Sequence, residues 1–406
     1  MSNQNWKYWD LLDHVISNGP IKEYTGIGSR QQTKYNFRIL VRIGMLMAYR
    51  GYRLRSGAAH GSDEAFELGV RLWLKCILDA RPDYLKNDGF ADLYFHSHRD
   101  IFIPKNGFRG RASKEPGVSA TKENDPKTRE MTNQYHPYAH KLGSYVASMM
   151  DRNANQVLGC HVDTPTSGII CHTPDGADGV KVNIGNKTGG TGQAIRIANG
   201  HDIAVSNIGQ QAVREHWLKS LEKFDSILME NLNISSKLVV DGYLDRYDGF
   251  KNVIEGDLVK TINETDSLDA MIHGCNCFNT MGSGIAKAVK ETFPGAYEAD
   301  CQTKSGDKNK LGTYTSFNTN NLLGKPITII NGYTQYKYGK ITEDMQEPFV
   351  DYEKLRKLFQ QINKDFAGKN IGIPKIGAGL AGGEWFVVAR LIQESAKNVN
   401  ITLFKL

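Results

Sequence analysis

Nothing in the 406 residues approaches the run of about 20 apolar side chains that a membrane helix needs. The polar opening MSNQNWKYWD has no apolar segment of the kind that makes a signal peptide. The expectation is a cytoplasmic protein with no membrane partner. Six cysteines, at 76, 160, 171, 275, 277 and 301, lack the density of a disulfide framework and the paired C-x-x-C spacing of a zinc site. Reduced thiols are the default. Cys160-His161 and Cys171-His172 repeat a Cys-His pair, but adjacent residues of a strand point to opposite faces, so four converging ligands are disfavoured. No metal and no cofactor is expected. Basic blocks and aromatic ladders are missing too, which disfavours nucleic acid as a partner. The net charge of +6 is mild and suits pockets that accept polyphosphates. There is no short-period repeat, no low-complexity tail and no long linker.

What is present is an ordinary globular composition, 40% hydrophobic and 23% charged, in a chain too long for one ordinary core. Two domains, or three small ones, follow from the length. Residues 21–29, IKEYTGIGS, predict a strand ending in a glycine turn. In residues 33–50 the apolar positions Phe37, Leu40, Val41, Gly44 and Ala48 have helical spacing. A second strand at 52–55 runs into the small-residue turn SGAAHG, after which Ala65, Leu68, Gly69, Leu72 and Cys76 mark a helix face. Strand, glycine turn and helix, repeated, build a parallel sheet whose anion sites lie at the carboxyl ends of strands. Residues 105–130 have no periodicity and are expected as a long surface loop, either a lid or a solvated insertion. A helix over 210–229 closes this half, and the junction is placed at 230–236. The expected domains are 1–232 and 233–406.

The second half predicts strands at 253–258, 269–272, 327–331, 371–374 and 401–405, and helices at 284–292, 351–366 and 385–398. At its centre lies HGCNCFNTMGSGIAKAVKETFPGAYEAD, residues 273–300. Here a strand runs into a glycine-rich loop that opens a helix. Gly282 and Gly284 remove side chains that would keep a ligand from the main chain, and the amides of the first helical turn are unpaired donors for an anion.

This segment resembles the ligand loop of macrodomains, the modules that bind ADP-ribose, and the resemblance extends over residues 253–406. It implies a three-layer α/β/α domain with a mixed sheet. It also implies that Asp257, with Leu258, takes the adenine amino group and that Asn276 faces the distal ribose. Gly282, Ser283, Gly284, Ile285 and Ala286 then cover that ribose and the diphosphate. IPKIGAGLAGG resembles the second phosphate loop, with Gly377, Ala378, Gly379, Leu380, Ala381 and Gly382 as its binding residues. Asn279 is expected either to orient the ribose or to cap the loop.

Short motifs in the first half, YTGIGSR, LRSGAAHGSDEAFELG, MMDRNANQVLG and TGGTGQAIRIA, resemble the SLOG superfamily of Rossmann-like proteins. That resemblance implies a parallel sheet and a nucleotide pocket framed by Gly26, Gly28, Ser29, Arg30, Ser56, Gly57, Asp63, Arg152, Asn153, Gly189, Gly190 and Thr191. Self-association through this domain, giving a homo-oligomer, is a family expectation. The hydrolytic members carry glutamates after the glycine-threonine loop, where this chain has Gly192, Gln193 and Ala194. An amide accepts no proton, so the first half is expected to bind rather than react.

In the second half the chemistry falls on three candidates, His273, Asn276 and Glu384. HGCNC resembles the macrodomain branch of ADP-ribose 1''-phosphate phosphatases, which implies a histidine beside the distal ribose; a structural histidine at a strand end is the alternative. Glu384 either activates water or stabilises a helix start. The lysine and aspartate that the resemblance would require for removing ADP-ribose from glutamate are absent, with Asn331-Gly332 and Ala381 near those places. The expected function is binding of an ADP-ribose derivative or related NAD-derived nucleotide. Hydrolysis at the distal ribose would follow, with ADP-ribose 1''-phosphate or an ADP-ribosylated macromolecule as partner. The alternative is a non-catalytic sensor of NAD-derived signals, a pairing that resembles bacterial or bacteriophage conflict systems.

Overall fold

The computed structural model describes residues 19–80, 89–121 and 125–406. The opening decapeptide and part of the 105–130 segment therefore lie outside the described residues. Internal contacts divide the chain into two units, one of residues up to 30 with 35–243, the other of residues 31–34 with 244–406. Among the described residues no helix is long and apolar enough to cross a membrane, and no His, Cys, Asp and Glu group could hold a metal ion.

The first unit runs β1 (Lys22–Gly28), α1 (Lys34–Tyr49), β2 (Tyr52–Ser56), α2 (Ser62–Ala80), α3 (Phe90–Ser97), β3 (Arg99–Ile103) and β4 (Val118–Ala120). It continues with α4 (Pro126–Tyr135), α5 (Ser144–Leu158), β5 (Ile169–His172), α6 (Thr191–Gly200), β6 (Val205–Asn207) and α7 (Gln211–Leu232). Its six strands are parallel in the order β4-β3-β2-β1-β5-β6. Strand order reverses between β1 and β5, and in open parallel sheets ligands bind at the carboxyl ends of strands beside such a reversal. The aperiodic 105–130 segment contains β4 and the start of α4, which corrects its expectation as one long loop. Arg109 and Arg111 tie its first part to α2 by ion pairs with Glu64 and Glu67, at 3.0 and 2.6 Å. Cys171 and His172 are buried in β5 while Cys160 is exposed, so the two Cys-His pairs have different surroundings.

After α8 (Ser236–Arg246), within which the division falls, the second unit runs β7 (Asn252–Glu255), α9 (Leu258–Glu264), β8 (Ala270–Cys275), α10 (Gly284–Thr292) and α11 (Pro294–Cys301). Then follow β9 (Tyr314–Asn320), β10 (Pro326–Tyr333), α12 (Tyr352–Asp365), β11 (Asn370–Ile373), α13 (Trp385–Ser395) and β12 (Asn400–Lys405). The sheet order is β7-β12-β11-β8-β10-β9, parallel except for the antiparallel β9-β10 pair. The fold is thus α/β, with one parallel and one mixed sheet. Leu258, Val259, Ile262, Met271, Val289, Phe293 and Ile329 form the core between α9, α10 and the sheet.

Two departures from the expected elements matter for the site. The strand expected through residue 258 stops at Glu255, because Asp257 accepts from the amides of Val259 and Lys260 (2.8 and 3.1 Å) and starts α9. The β8 ladder to β11 ends at Met271 and Gly372, whereas its ladder to β10 continues through Cys275. The gap left between the ends of β8 and β11 is the cleft described next.

Candidate functional site

Two glycine loops close the cleft in the second unit. One leaves β8 and enters α10; the other leaves β11 and enters α13. A cavity of about 550 Å³ is lined by Asn276, Gly282, Ser283, Gly284, Ile285 and Ala286 from the first and by Gly377, Gly379, Leu380 and Ala381 from the second. A second cavity of about 420 Å³ is lined by Asp257, Leu258, Phe404 and Lys405. Gly284, Ile285, Pro374 and Lys375 belong to both walls, so the two cavities form one elongated cleft.

The chemistry of this cleft follows from its backbone. Ser283 stands at the N-cap of α10 in an extended conformation, and its side chain makes no cap hydrogen bond. The first-turn amides are therefore left as donors, and Gly284, with φ of 55°, begins the helix in a conformation that an L side chain rarely adopts. Gly282, Ser283 and Gly284 are exposed, so these donors face the open cleft. Lys375 adds a cation to the same wall. At the far end both cap bonds of Asp257 fall on Oδ1. Asn276 is held by its own loop, accepting from the Phe278 amide at 2.8 Å and donating to Thr280 Oγ1 at 2.8 Å.

Five expected site residues lie away from the cavity walls. His273 is 0% exposed, and its Nε2 lies 2.9 Å from Oδ1 of Asn331, its cross-strand neighbour on β10. Asn331 uses its amide nitrogen on Ala296 O and Thr315 Oγ1, so Nε2 carries the proton in that bond. Burial lowers the imidazole to about 4, against the Asn331 bond and the Asp300 charge, which raise it. Cys275 Sγ is nearly equidistant from both ring nitrogens, 3.7 and 3.9 Å, so it packs against the ring rather than on one lone pair. The expectation of His273 as acid or base at the ribose is thereby corrected: it is a neutral framework residue with no face on the cleft. Glu384 is also buried, and it accepts from the Phe386 amide at the start of α13.

Asn279 turns from the cavity. Its amide donates to the carbonyls of Asp300 and Thr303, and its Oδ1 accepts from Lys310 Nζ at 2.8 Å. Ala378 lies outside the walls, and Gly382, with φ of 72°, has its Cβ direction filled by Ile341. The structure also brings in residues that sequence reasoning missed: Asp300, Tyr338, Gly339, Lys375, Phe404 and Lys405. Asp300 had one legible signal, a carboxylate four residues after the buried Ala296 on the core face of a helix.

In the first unit, Gly28, Ser29, Ser56 and Gly57 lie where β1 and β2 end. Asp63 Oδ2 accepts from the amides of Gly57 and Ala59, both at 3.2 Å, and so fixes that turn. Burial raises Asp63, opposed chiefly by Arg152. Arg152 is buried and donates to Gly57 O at 2.7 Å, while its Nε has no hydrogen-bond partner. Burial lowers its pKa; Asp63 counters this, and the like charge of Arg30 adds to it. Asn153 donates to Gly190 O and to Gln193 Oε1, and Gln193 in turn donates to Thr132, so the amide at 193 is a structural link. Gly189 has φ of 61°, and Thr191 begins α6 after an N-cap glycine with no side-chain cap. Gly26 is a packing position, since a Cβ there would sit 2.6 Å from the Phe66 ring.

The Macro domain family model matches residues 272–392. An uncharacterized 17.5 kDa protein in the tk-vs intergenic region of Enterobacteria phage T4 is 32% identical over 155 residues, 37% of this chain and 92% of that protein. An ADP-ribose 1''-phosphate phosphatase of Scheffersomyces stipitis is 29% identical over 32% of this chain and 87% of its own length. A protein of the same description from Debaryomyces hansenii is 28% identical, over 37% of this chain and 96% of that one. The chain belongs to the macro domain family through its C-terminal unit.

Proposed function

We propose that the second unit binds an ADP-ribose derivative along its cleft and hydrolyses a group at the distal ribose, with ADP-ribose 1''-phosphate as the first substrate to test. The observation that carries this reading is the continuous cleft. It has an adenine-sized end beside Asp257, two glycine loops and uncapped α10 amides at the middle, and Asn276 at the other end. The similarity to two yeast ADP-ribose 1''-phosphate phosphatases supports the choice of substrate. A 1''-phosphate bound there places its ester bond beside Asn276 and the wall that includes Cys275 and Asp300. An ADP-ribosylated macromolecule is the next substrate, its acceptor leaving by the same end. The test is to incubate full-length protein with ADP-ribose 1''-phosphate and follow free phosphate and ADP-ribose by phosphorus NMR and mass spectrometry. Turnover is expected; bound ligand recovered intact would sink the phosphatase reading.

A second reading concerns the first unit, as a SLOG-like binder of an NAD-derived nucleotide. It is favoured by Arg152, a buried guanidinium with an unpartnered Nε beside the carboxyl ends of β1 and β2 and near a second guanidinium, Arg30. Two like charges held together invite an anion.

A further inference from the structure

The wall at the distal end of the cleft contains a buried charge pair that binding by the glycine loops does not require. Asp300 ends one turn of α11 and is 1% exposed; Lys310, at 6%, lies 3.1 Å from its Oδ1. The Tyr333 hydroxyl donates to the same Oδ1 at 2.7 Å, and the Lys310 ammonium lies 4.4 Å from the centre of the Tyr333 ring. Apolar residues of similar volume would hold such a site at least as well, because desolvating two charges is costly. The side-chain hydrogen bonds of Asp300 all fall on Oδ1, and the residue is part of the cavity wall with Gly274, Cys275 and Asn276. Other ionisable groups nearby are poor proton acceptors: burial raises the Cys277 thiol to about 11 and the Tyr333 phenol higher still, and His273 has its basicity suppressed.

We propose that Asp300 is the catalytic base of the distal site, the carboxylate that takes a proton from the attacking water, with Lys310 and Tyr333 as its positioning residues. The proposal rests on the hydrolase reading above. Water oxygen bonds to phosphorus as its proton passes to Asp300. The bond between phosphorus and the C1'' oxygen breaks, and the proton returns to that oxygen, leaving ADP-ribose, phosphate and an ionised Asp300. No metal or co-reactant is needed for the balance.

The experiment is steady-state turnover of ADP-ribose 1''-phosphate by full-length wild type and Asp300→Asn, with ADP-ribose affinity and thermal melting measured on the same samples. Asparagine keeps the shape and an Oδ1 acceptor for Tyr333 and Lys310. The expected result is a fall in kcat of about 100-fold or more, with ADP-ribose Kd within about threefold and the melt preserved. If Asp300→Asn does not fold, Tyr333→Phe, which withdraws one donor and leaves the charge pair, is expected to lower kcat several-fold at unchanged Kd. An active wild type with an equally active Asp300→Asn, or with kcat unchanged in a Tyr333→Phe used in its place, overturns this assignment alone. A wild type that binds but turns over nothing overturns the hydrolase reading and this assignment with it.

Discussion

His273 and Asp300 stand on either side of one question, namely which buried polar group holds the fold and which meets the ligand. His273 donates a hydrogen bond from Nε2 to Asn331 Oδ1 and is fully enclosed, so protonating it in the folded state would leave an added charge in the core. Its folded value of about 4 lies below the ordinary 6.5, which fixes the sign of its effect on stability. Between those values the unfolded chain binds the proton and the folded chain does not. The contribution is therefore complete above about pH 6.5 and is lost as pH falls towards 4, on the order of 1 kcal/mol per pH unit. His273→Gln keeps a donor for Asn331 and removes the titration. Urea unfolding at pH 7, 5.5 and 4.5 should show a shallower acid loss in the variant than in wild type. Parallel pH slopes would mean that His273 is not held neutral by burial.

At the scale of elements, the start of α9 and the proposed adenine contact fall on one residue. Asp257 caps the helix with Oδ1, which commits one oxygen and one orientation. Asp257→Asn preserves the cap, since the two residues cap about equally, but puts an amide donor where the second oxygen was. An adenine amino group would then meet a donor instead of an acceptor. ADP-ribose affinity should drop about tenfold with little change in stability, while a hypoxanthine analogue, whose exocyclic 6-oxo oxygen accepts, should gain. Equal affinities in calorimetric titrations would remove Asp257 from base recognition. The same element marks a limit of legibility. α9 has seven residues, too few for a periodic pattern, and it is started by the residue that the sequence reading placed inside a strand. β9 escaped because TSFNTN has little apolar alternation and is fixed by pairing with β10. By contrast, the longer periodic helices α1, α2, α10 and α12 and both glycine loops were legible, because glycine and apolar spacing act locally. Asp300 and Tyr338 reach the cleft only through the folded arrangement of β8, α11 and the segment after β10. Apart from the helical spacing of Asp300 from Ala296, their place could not be read from local pattern.

Across the whole molecule, both units contain parallel strands that end in glycine-rich turns, and the mild excess of positive charge is compatible with anion binding in each. The number of nucleotides bound per chain then separates the two readings of the first unit. If Arg152 serves an anion there, isothermal titration with ADP-ribose and with cyclic ADP-ribose should together reveal two sites on the full chain. Arg152→Met removes the charge at similar volume but leaves the buried Asp63 with only the Gly57 and Ala59 amides, so a loss of stability of about 3–5 kcal/mol should accompany it. It should abolish the first-unit site and leave ADP-ribose affinity at the cleft of the second unit within about twofold, because independent sites contribute additively. Circular dichroism and an unchanged second-unit titration would show that the variant is folded. A single site in wild type with either nucleotide would confine recognition to the macro domain and would assign the Arg152 guanidinium to holding Gly57 and its turn.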